Sequence, residues 1–451
     1  MESPFAAIER GLIFQRSGRL REAESAYREA LKADPENADA LHLLGTIAFQ
    51  AGKHEPAVAL IQRAIRINPN NANYYSNCGP ALRCLNRYEE AIACYHSAIA
   101  LAPDHPQAWY NLGKTYFDFR KPAEALEAYT RQLEINPDHA SSRWNRSLAN
   151  LLLGNLSEGW REYEFRWTAT AASTSKRIFV APQWSGEPIV GKTLFIHAEQ
   201  GLGDTIQFCR YALLAADRGA HVIVECQPEL LDLLRSISHI STLIRPGEPL
   251  PEFDFQIPMM SLPMAFETSL ENIPSSAPYL HSDPARTLNW KSRLEKLGSP
   301  RNIGLVWAGG EKHPSNEKRS MRLSQFALLA ELAGISWISL QKGSPSEQLA
   351  QAPFPVLDWT SELHDFADTA ALIQSLDGVV TVDTAVAHLA GALGKPVWIL
   401  IPFLPDFRWL LDRNNSPWYP TARLIRQSTQ GEWEGAMRGL VTTLAIFLKA
   451  H

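Results

Sequence analysis

The sequence predicts an all-helical repeat solenoid followed by an α/β region of two lobes, each built on a parallel sheet. Three observations predict it. Pro35, Pro69, Pro103 and Pro137 recur every 34 residues. A small residue (Gly11, Gly45, Gly79, Gly113, Ser147), an alanine (Ala23, Ala57, Ala91, Ala125) and an aromatic slot (Tyr27, Tyr95, Tyr129, Tyr163, with Ile61 once) keep the same phase. From about residue 190 onward, short apolar runs alternate with helical patterns, as parallel strands joined by crossover helices require.

A 34-residue period is that of the tetratricopeptide repeat, a helix pair whose copies stack into a solenoid with a concave binding face. The phase sets repeats at about 4–37, 38–71, 72–105 and 106–139, and a fifth to about Trp167. Each full repeat ends in a proline, which stops its second helix. The fifth, LLLGNLSEGWREYEFRW, has lost the proline and gained aromatics, which suits a terminal unit packing on another domain. Pro80 falls inside a first helix and should kink it. The small, polar TATAASTSK (168–176) reads as a linker. The expected division is 1–167 repeats, 168–190 linker, 191–295 first lobe and 296–451 second lobe.

In the first lobe, strands are expected in KTLFIHA (192–198), HVIVECQ (221–227), STLIRPG and FDFQIPM, with a helix through GLGDTIQFCRYALLAADRGA (201–220). ARTLNWKSRLEKLGS (285–299) reads as a helical bridge. The second lobe restarts the alternation: strands in NIGLVWAGG (302–310), ISWISLQKG (335–343), GVVTV (378–382) and PVWILIP (396–402), helices in LSQFALLAELAG, DTAALIQSL and TAVAHLAGALG, and a last amphipathic helix expected to cross back to the first lobe.

Composition narrows the function. Apolar content of 45% supports real cores, and a net charge of −5 argues against nucleic acid as main partner. Cys78, Cys84, Cys94, Cys209 and Cys226 have neither metal nor disulfide spacing and read as reduced core thiols. The N-terminal residues lack a signal-peptide core, and no apolar run approaches the ~20 residues that span a bilayer. The expected location is the cytoplasm.

Three segments could carry chemistry. In GVVTVDTAVAHLAGALGKPVWIL (378–400) a buried strand runs directly into a helix. Asp383 can cap that helix, and the Thr384 hydroxyl with the N–H groups of Ala385 and Val386 would face the crevice beyond the strand ends, where open α/β sheets bind phosphates. His388, one turn in, could donate to a phosphate. An ordinary cap with a core histidine reads equally well. In HAEQGLGDTIQF (197–208), Gly201 and Gly203 make the turn, and Asp204 either takes a proton from an acceptor hydroxyl or is a first-turn acid favoured by the helix dipole. The loop lacks a third glycine and an acidic ribose ligand, which argues against a dinucleotide cofactor. In WAGGEKHPSNEKRSMRLSQF (307–326), Gly309 and Gly310 precede Lys312, Lys318, Arg319 and Arg322: a loop that folds over a negative leaving group, or a solvated basic loop. Gln341 and Lys342 end a neighbouring strand and point at the same crevice. No His-Cys-Asp cluster has metal spacing, and no serine or cysteine triad is evident.

GLGDTIQF, the LVWAGG loop, SLQKG, VDTAVAHLAGALGKPVW and RWLLDRNNSPWYPTARLIRQ together resemble the bacterial proteins that join tetratricopeptide repeats to a heptosyltransferase-like, GT-B fold glycosyltransferase domain of two Rossmann-like lobes. The resemblance covers nearly the whole chain. It implies Asp204 as the base; Gly309, Gln341, Lys342, Asp383, Thr384, Ala385 and His388 on the donor side, with Arg319 first and Lys318 or Arg322 as alternatives at the diphosphate; no metal; and no cofactor, the nucleotide-diphosphate sugar being a substrate. Where that family has glycine, this chain has Ala385. The order of domains is similar to that of the nucleocytoplasmic protein O-GlcNAc transferase. Asn77, Asn111 and Asn145, at one repeat position, would then hydrogen-bond an acceptor's backbone, although asparagine is also the consensus choice there. The implied enzyme is an inverting glycosyltransferase whose repeats recruit a protein acceptor, such as a surface or flagellar protein. A saccharide or lipid-linked acceptor is the alternative enzyme, and a repeat scaffold with a degenerate catalytic domain the alternative of another class.

Overall fold

The computed structural model describes residues 3–169, 176–310 and 316–450. The chain forms two compact units, one running to Asn150 and the other starting at Leu151, with Thr168 and its neighbours grouped with the first. Lys312 and most of the expected linker lie outside the described residues.

The first unit is the repeat solenoid. Its helix pairs are Pro4–Arg16 with Leu20–Ala33, Ala38–Gln50 with His54–Ile67, Ala72–Cys84 with Tyr88–Leu101, and Pro106–Asp118 with Pro122–Ile135; Ala140–Leu153 follows. Side chains of Ser3, Asn37, Asn71 and His105 each accept a backbone N–H at the start of a first helix, satisfying an otherwise orphan donor. Two of the in-phase registers turn out to be one contact. A Cβ on Gly113 would stand 2.6 Å from the Tyr129 ring, and Gly11, Gly45 and Gly79 meet Tyr27, Ile61 and Tyr95 in the same way. The small residue exists so that the large one can bury. Pro80 lies inside Ala72–Cys84 without ending it.

The second unit holds two parallel sheets. β1 (Thr193–His197), β2 (His221–Glu225), β3 (Ile240–Ile244) and β4 (Phe255–Pro258) are ordered β3-β2-β1-β4. β5 (Arg301–Val306), β6 (Ile335–Ser339), β7 (Val356–Asp358), β8 (Gly378–Val382), β9 (Val397–Ile401) and β10 (Ala422–Arg426) are ordered β10-β9-β8-β5-β6-β7. All named pairings are parallel. The topology fixes where ligands can bind. The order reverses between β1 and β4 in the first sheet and between β5 and β8 in the second, and the carboxyl ends of strands at such switch points open a crevice. GLGD follows β1, the two-glycine loop follows β5, and Asp383-Thr384 follows β8.

Three elements depart from expectation. LSQFALLAE winds as a 3-10 helix, Leu323–Glu331. The C-terminal helix Glu434–Ala450 does not give its buried face to the first lobe: Met437, Leu440 and Leu444 join Ile303, Leu305, Val380 and Trp398 in the second lobe's own core. The stretch after residue 176 lies on the first lobe, where Phe179 packs on Phe195 and Gln183 bridges to Gln256 in β4.

Candidate active site

The helix after β1, Leu202–Phe208, is entered through Gly201 at its N-cap. Asp204 reaches back, so that its Oδ2 accepts the Gly201 N–H at 2.8 Å. Its Oδ1 accepts from the Arg408 guanidinium, which comes from the second lobe. The loop behind is tied down from several sides. Gln200 donates to the Tyr163 hydroxyl at 3.2 Å, Gln227 donates to the Gln200 carbonyl at 2.8 Å, and Thr205 donates to Gln227 at 2.9 Å. Beside it, Arg166 forms a fork with both oxygens of Glu199 at 2.8 Å. Burial pushes the Glu199 carboxyl above its ordinary range, and Arg166 only partly opposes this. Trp160 sets its ring edge-on to Phe208 of the first lobe at 5.9 Å and to Phe407 of the second at 5.5 Å. The helix Leu156–Tyr163, repeat-like in sequence, thus packs on both lobes immediately behind Asp204.

On the second lobe, Asp383 is buried at the end of β8. Burial and the neighbouring Asp406 push its carboxyl up to about 6, against the pull of Arg319 and Arg408. It does not cap the following helix. Thr384 is the N-cap of Ala385–Ala392, with no side-chain cap bond, and its hydroxyl lies 3.1 Å from that of Thr381. His388 is buried, its Nδ1 3.0 Å from the Tyr419 hydroxyl and its ring stacked on Trp409 at 5.3 Å. Burial, then Arg408, Arg210 and Arg319, hold its pKa well below the ordinary value, so it is neutral. A neutral ring can donate to a phosphate through Nε2 only when Nδ1 accepts from Tyr419.

The other donor-side residues divide. Gly309 lies against Arg319, where a Cβ would stand 2.9 Å from the guanidinium, so the missing side chain is what lets Arg319 lie there. Gln341 is spent on shape: its oxygen accepts the Trp307 and Ala308 N–H groups at 3.1 and 2.8 Å, holding the loop after β5. Lys342 donates to the Leu363 carbonyl. Arg322 is exposed.

The lobes meet at the two helix starts. Gly203 lies against His388 and Ala385, with Asp204 next in the chain. What spacing alone did not single out is the turn Asp406-Phe407-Arg408-Trp409. Asp406 caps it, accepting the Arg408 N–H at 3.0 Å and its guanidinium at 2.9 Å. Arg408 also donates to Gln207 at 2.6 Å. Burial opposes its charge, but Asp406 and Asp204 outweigh burial and raise its pKa. Arg210 is a second crossing, donating to the Trp418 carbonyl at 2.9 Å and lying over the Tyr419 ring. The only sequence signal for this turn was an arginine between aromatics in the tail.

The asparagines belong to the repeat unit. Asn77 bonds His42 of the preceding repeat at 2.9 Å and Asn145 bonds the Tyr110 hydroxyl at 3.2 Å, while Asn111 accepts from Gln107 at 3.1 Å. Each amide keeps unused capacity. Among the described residues no group of His, Cys, Asp or Glu could hold a metal, and no helix is long and apolar enough to cross a membrane.

With this geometry, comparison with known proteins is informative. Residues 363–400 match the model of glycosyltransferase family 9 (heptosyltransferase). That segment contains β8, Asp383, Thr384 and His388. Residues 8–72, 81–118 and 106–139 match tetratricopeptide-repeat models. Over 329 residues, 67% of this chain, it is 29% identical to Protein FlbA of Caulobacter vibrioides, and the match covers 54% of that protein. The chain therefore spans about half the length of the curated relative it matches. Among solved structures it is similar to MamA (25% identity, TM-score 0.33, covering 37% of this chain and 97% of that one) and to pilF of Pseudomonas aeruginosa (21%, 0.37, 48% and 86%). Tetratricopeptide repeats followed by a family 9 match support glycosyl transfer.

Proposed function

We propose that the protein is an inverting glycosyltransferase moving a sugar from a nucleotide-diphosphate donor to a hydroxyl of a protein recruited by the repeats. One observation carries the reading: the acid-bearing turn after β1 and the uncapped helix start after β8, each at a switch point, meet through Gly203 and Ala385. Asp204 would take the acceptor's proton as its oxygen bonds to the anomeric carbon and the carbon–oxygen bond to the diphosphate breaks. Arg319 and the N–H groups at the helix start would offset the charge that develops on the leaving group.

The test is a thermal-shift screen of the full chain with nucleotide sugars, followed by transfer assays with whole bacterial protein fractions and with the saccharide fraction as acceptors. Asp204→Asn should lower turnover by about 10²–10⁴. Near-wild-type transfer by that variant would remove Asp204 as base. Transfer to saccharide alone would replace the protein acceptor.

A further inference from the structure

We propose that Arg408 is a ligand of the donor's departing phosphate, stored on Asp204 until the nucleotide arrives. The inference rests on the glycosyl-transfer reading and adds a residue and an order of events to it.

Arg408 is the cation that joins the two halves of the site. Its guanidinium is buried against Asp204, Asp406 and Gln207, so one positive group answers two carboxylates, with Asp383 beside them. It also lies near the helix start where phosphate would sit. Its chain neighbour Trp409 stacks on His388, and Gly203, the neighbour of its partner Asp204, touches both His388 and Ala385.

The same place holds donors that lack acceptors. Among the described residues, the Gln207 amide nitrogen, whose oxygen goes to Arg408, is buried with no hydrogen-bond partner, and so is Arg319 Nε. Buried donors are rarely left unmade without a reason, and a phosphate supplies several acceptor oxygens at once. The base, meanwhile, is engaged. Asp204 Oδ2 holds the Gly201 N–H and Oδ1 holds Arg408. A diphosphate matches the guanidinium's planar fork as a carboxylate does and carries more negative charge than the carboxylate it would replace. Transfer of Arg408 from Asp204 to phosphate frees Oδ1 toward an acceptor hydroxyl. No proton moves and no covalent bond changes in this exchange. It makes donor binding the event that arms the base.

The experiment titrates the full chain with UDP, GDP, ADP, CDP and CMP by calorimetry, using wild type, Asp204→Asn, Arg408→Lys and Arg408→Gln. An asparagine holds the guanidinium by a neutral bond instead of a charge-assisted one, so Asp204→Asn should bind the preferred nucleotide about tenfold tighter. Arg408→Gln should bind it at least about tenfold more weakly, with Arg408→Lys between. Affinity unchanged or reduced in Asp204→Asn overturns the proposal and leaves the glycosyl-transfer reading standing. Failure of the wild type to bind any of the five overturns that reading and this one with it. If Arg408→Gln does not fold, the near-isosteric Asp204→Asn decides alone.

Discussion

Removing Arg166 should unsettle the second unit by stranding a buried carboxylate. Arg166 and its partner Glu199 have side chains only 1% and 5% exposed, with two bonds of 2.8 Å between them. Glu164 also bonds Arg166 but is 23% exposed and can turn to water. In Arg166→Met, Glu199 keeps, among the described residues, the Met260 N–H at 3.0 Å. An unpaired buried charge typically costs about 3–5 kcal/mol. Protonation bounds that cost: neutralising a carboxyl of ordinary value 4.5 at pH 7 takes about 3.4 kcal/mol at 1.36 kcal/mol per pH unit. We therefore expect a loss of about 3 kcal/mol, or about 5 °C in melting temperature for a unit of roughly 300 residues. A carboxyl whose folded pKa is raised contributes stability that is full below its unfolded value and lost as pH rises through the folded one. Without Arg166 the folded value rises further, so the deficit against wild type should shrink on moving from pH 7 to pH 5. Arg166→Met with Glu199→Gln, which removes the stranded charge, should recover at least half of it. The assay is urea and thermal unfolding of the full chain followed by near-ultraviolet tryptophan signals, with the transitions of the two compact units fitted separately. A loss under about 1 kcal/mol, the worth of an exposed ion pair, or a deficit independent of pH, refutes the reasoning.

Other outcomes follow from the same site. Asp383→Asn should stabilise the protein by up to about 3 kcal/mol at pH 8 and by little at pH 4, because a carboxyl pushed up to about 6 opposes folding once ionised; equal stability of variant and wild type in urea unfolding at pH 8 would count against it. Changing Asn77, Asn111 and Asn145 together to alanine should weaken binding of a protein acceptor and leave nucleotide affinity untouched, as read by pull-down and calorimetry in parallel; a change in nucleotide affinity would show that the amides serve another purpose.

Legibility in the sequence tracked the sequence distance of the contacts involved. The repeat registers were visible because Gly113 and Tyr129 touch across sixteen positions, and the pairing recurs with the period. The strands at β1, β5, β8 and β9 were visible because burial on both faces makes continuous apolar runs. Asp204, Asp383 and His388 were visible because glycine turns and helix starts mark them. Arg408 was not, since its partner Asp204 lies 204 positions away in an aperiodic tail. Nor was the division of labour among the donor-side residues: Gln341 sits where its strand predicts, but only its bonds to Trp307 and Ala308 reveal a residue that shapes a loop. The expected crossing of the last helix failed because an amphipathic pattern specifies that a face is buried without specifying against what.

The glycine before the candidate base has a mechanical meaning. A methyl group on Gly203 would stand 2.9 Å from the His388 ring, which is pinned by Trp409 and Tyr419 and has little room to yield. The two lobes come this close where one of them carries no side chain. Gly203 thus acts as a shim of zero thickness, and the spacing between the two lobes at this point is set by the absence of a single carbon atom. Any larger residue there would prop the jaws open whatever the rest of the site contained.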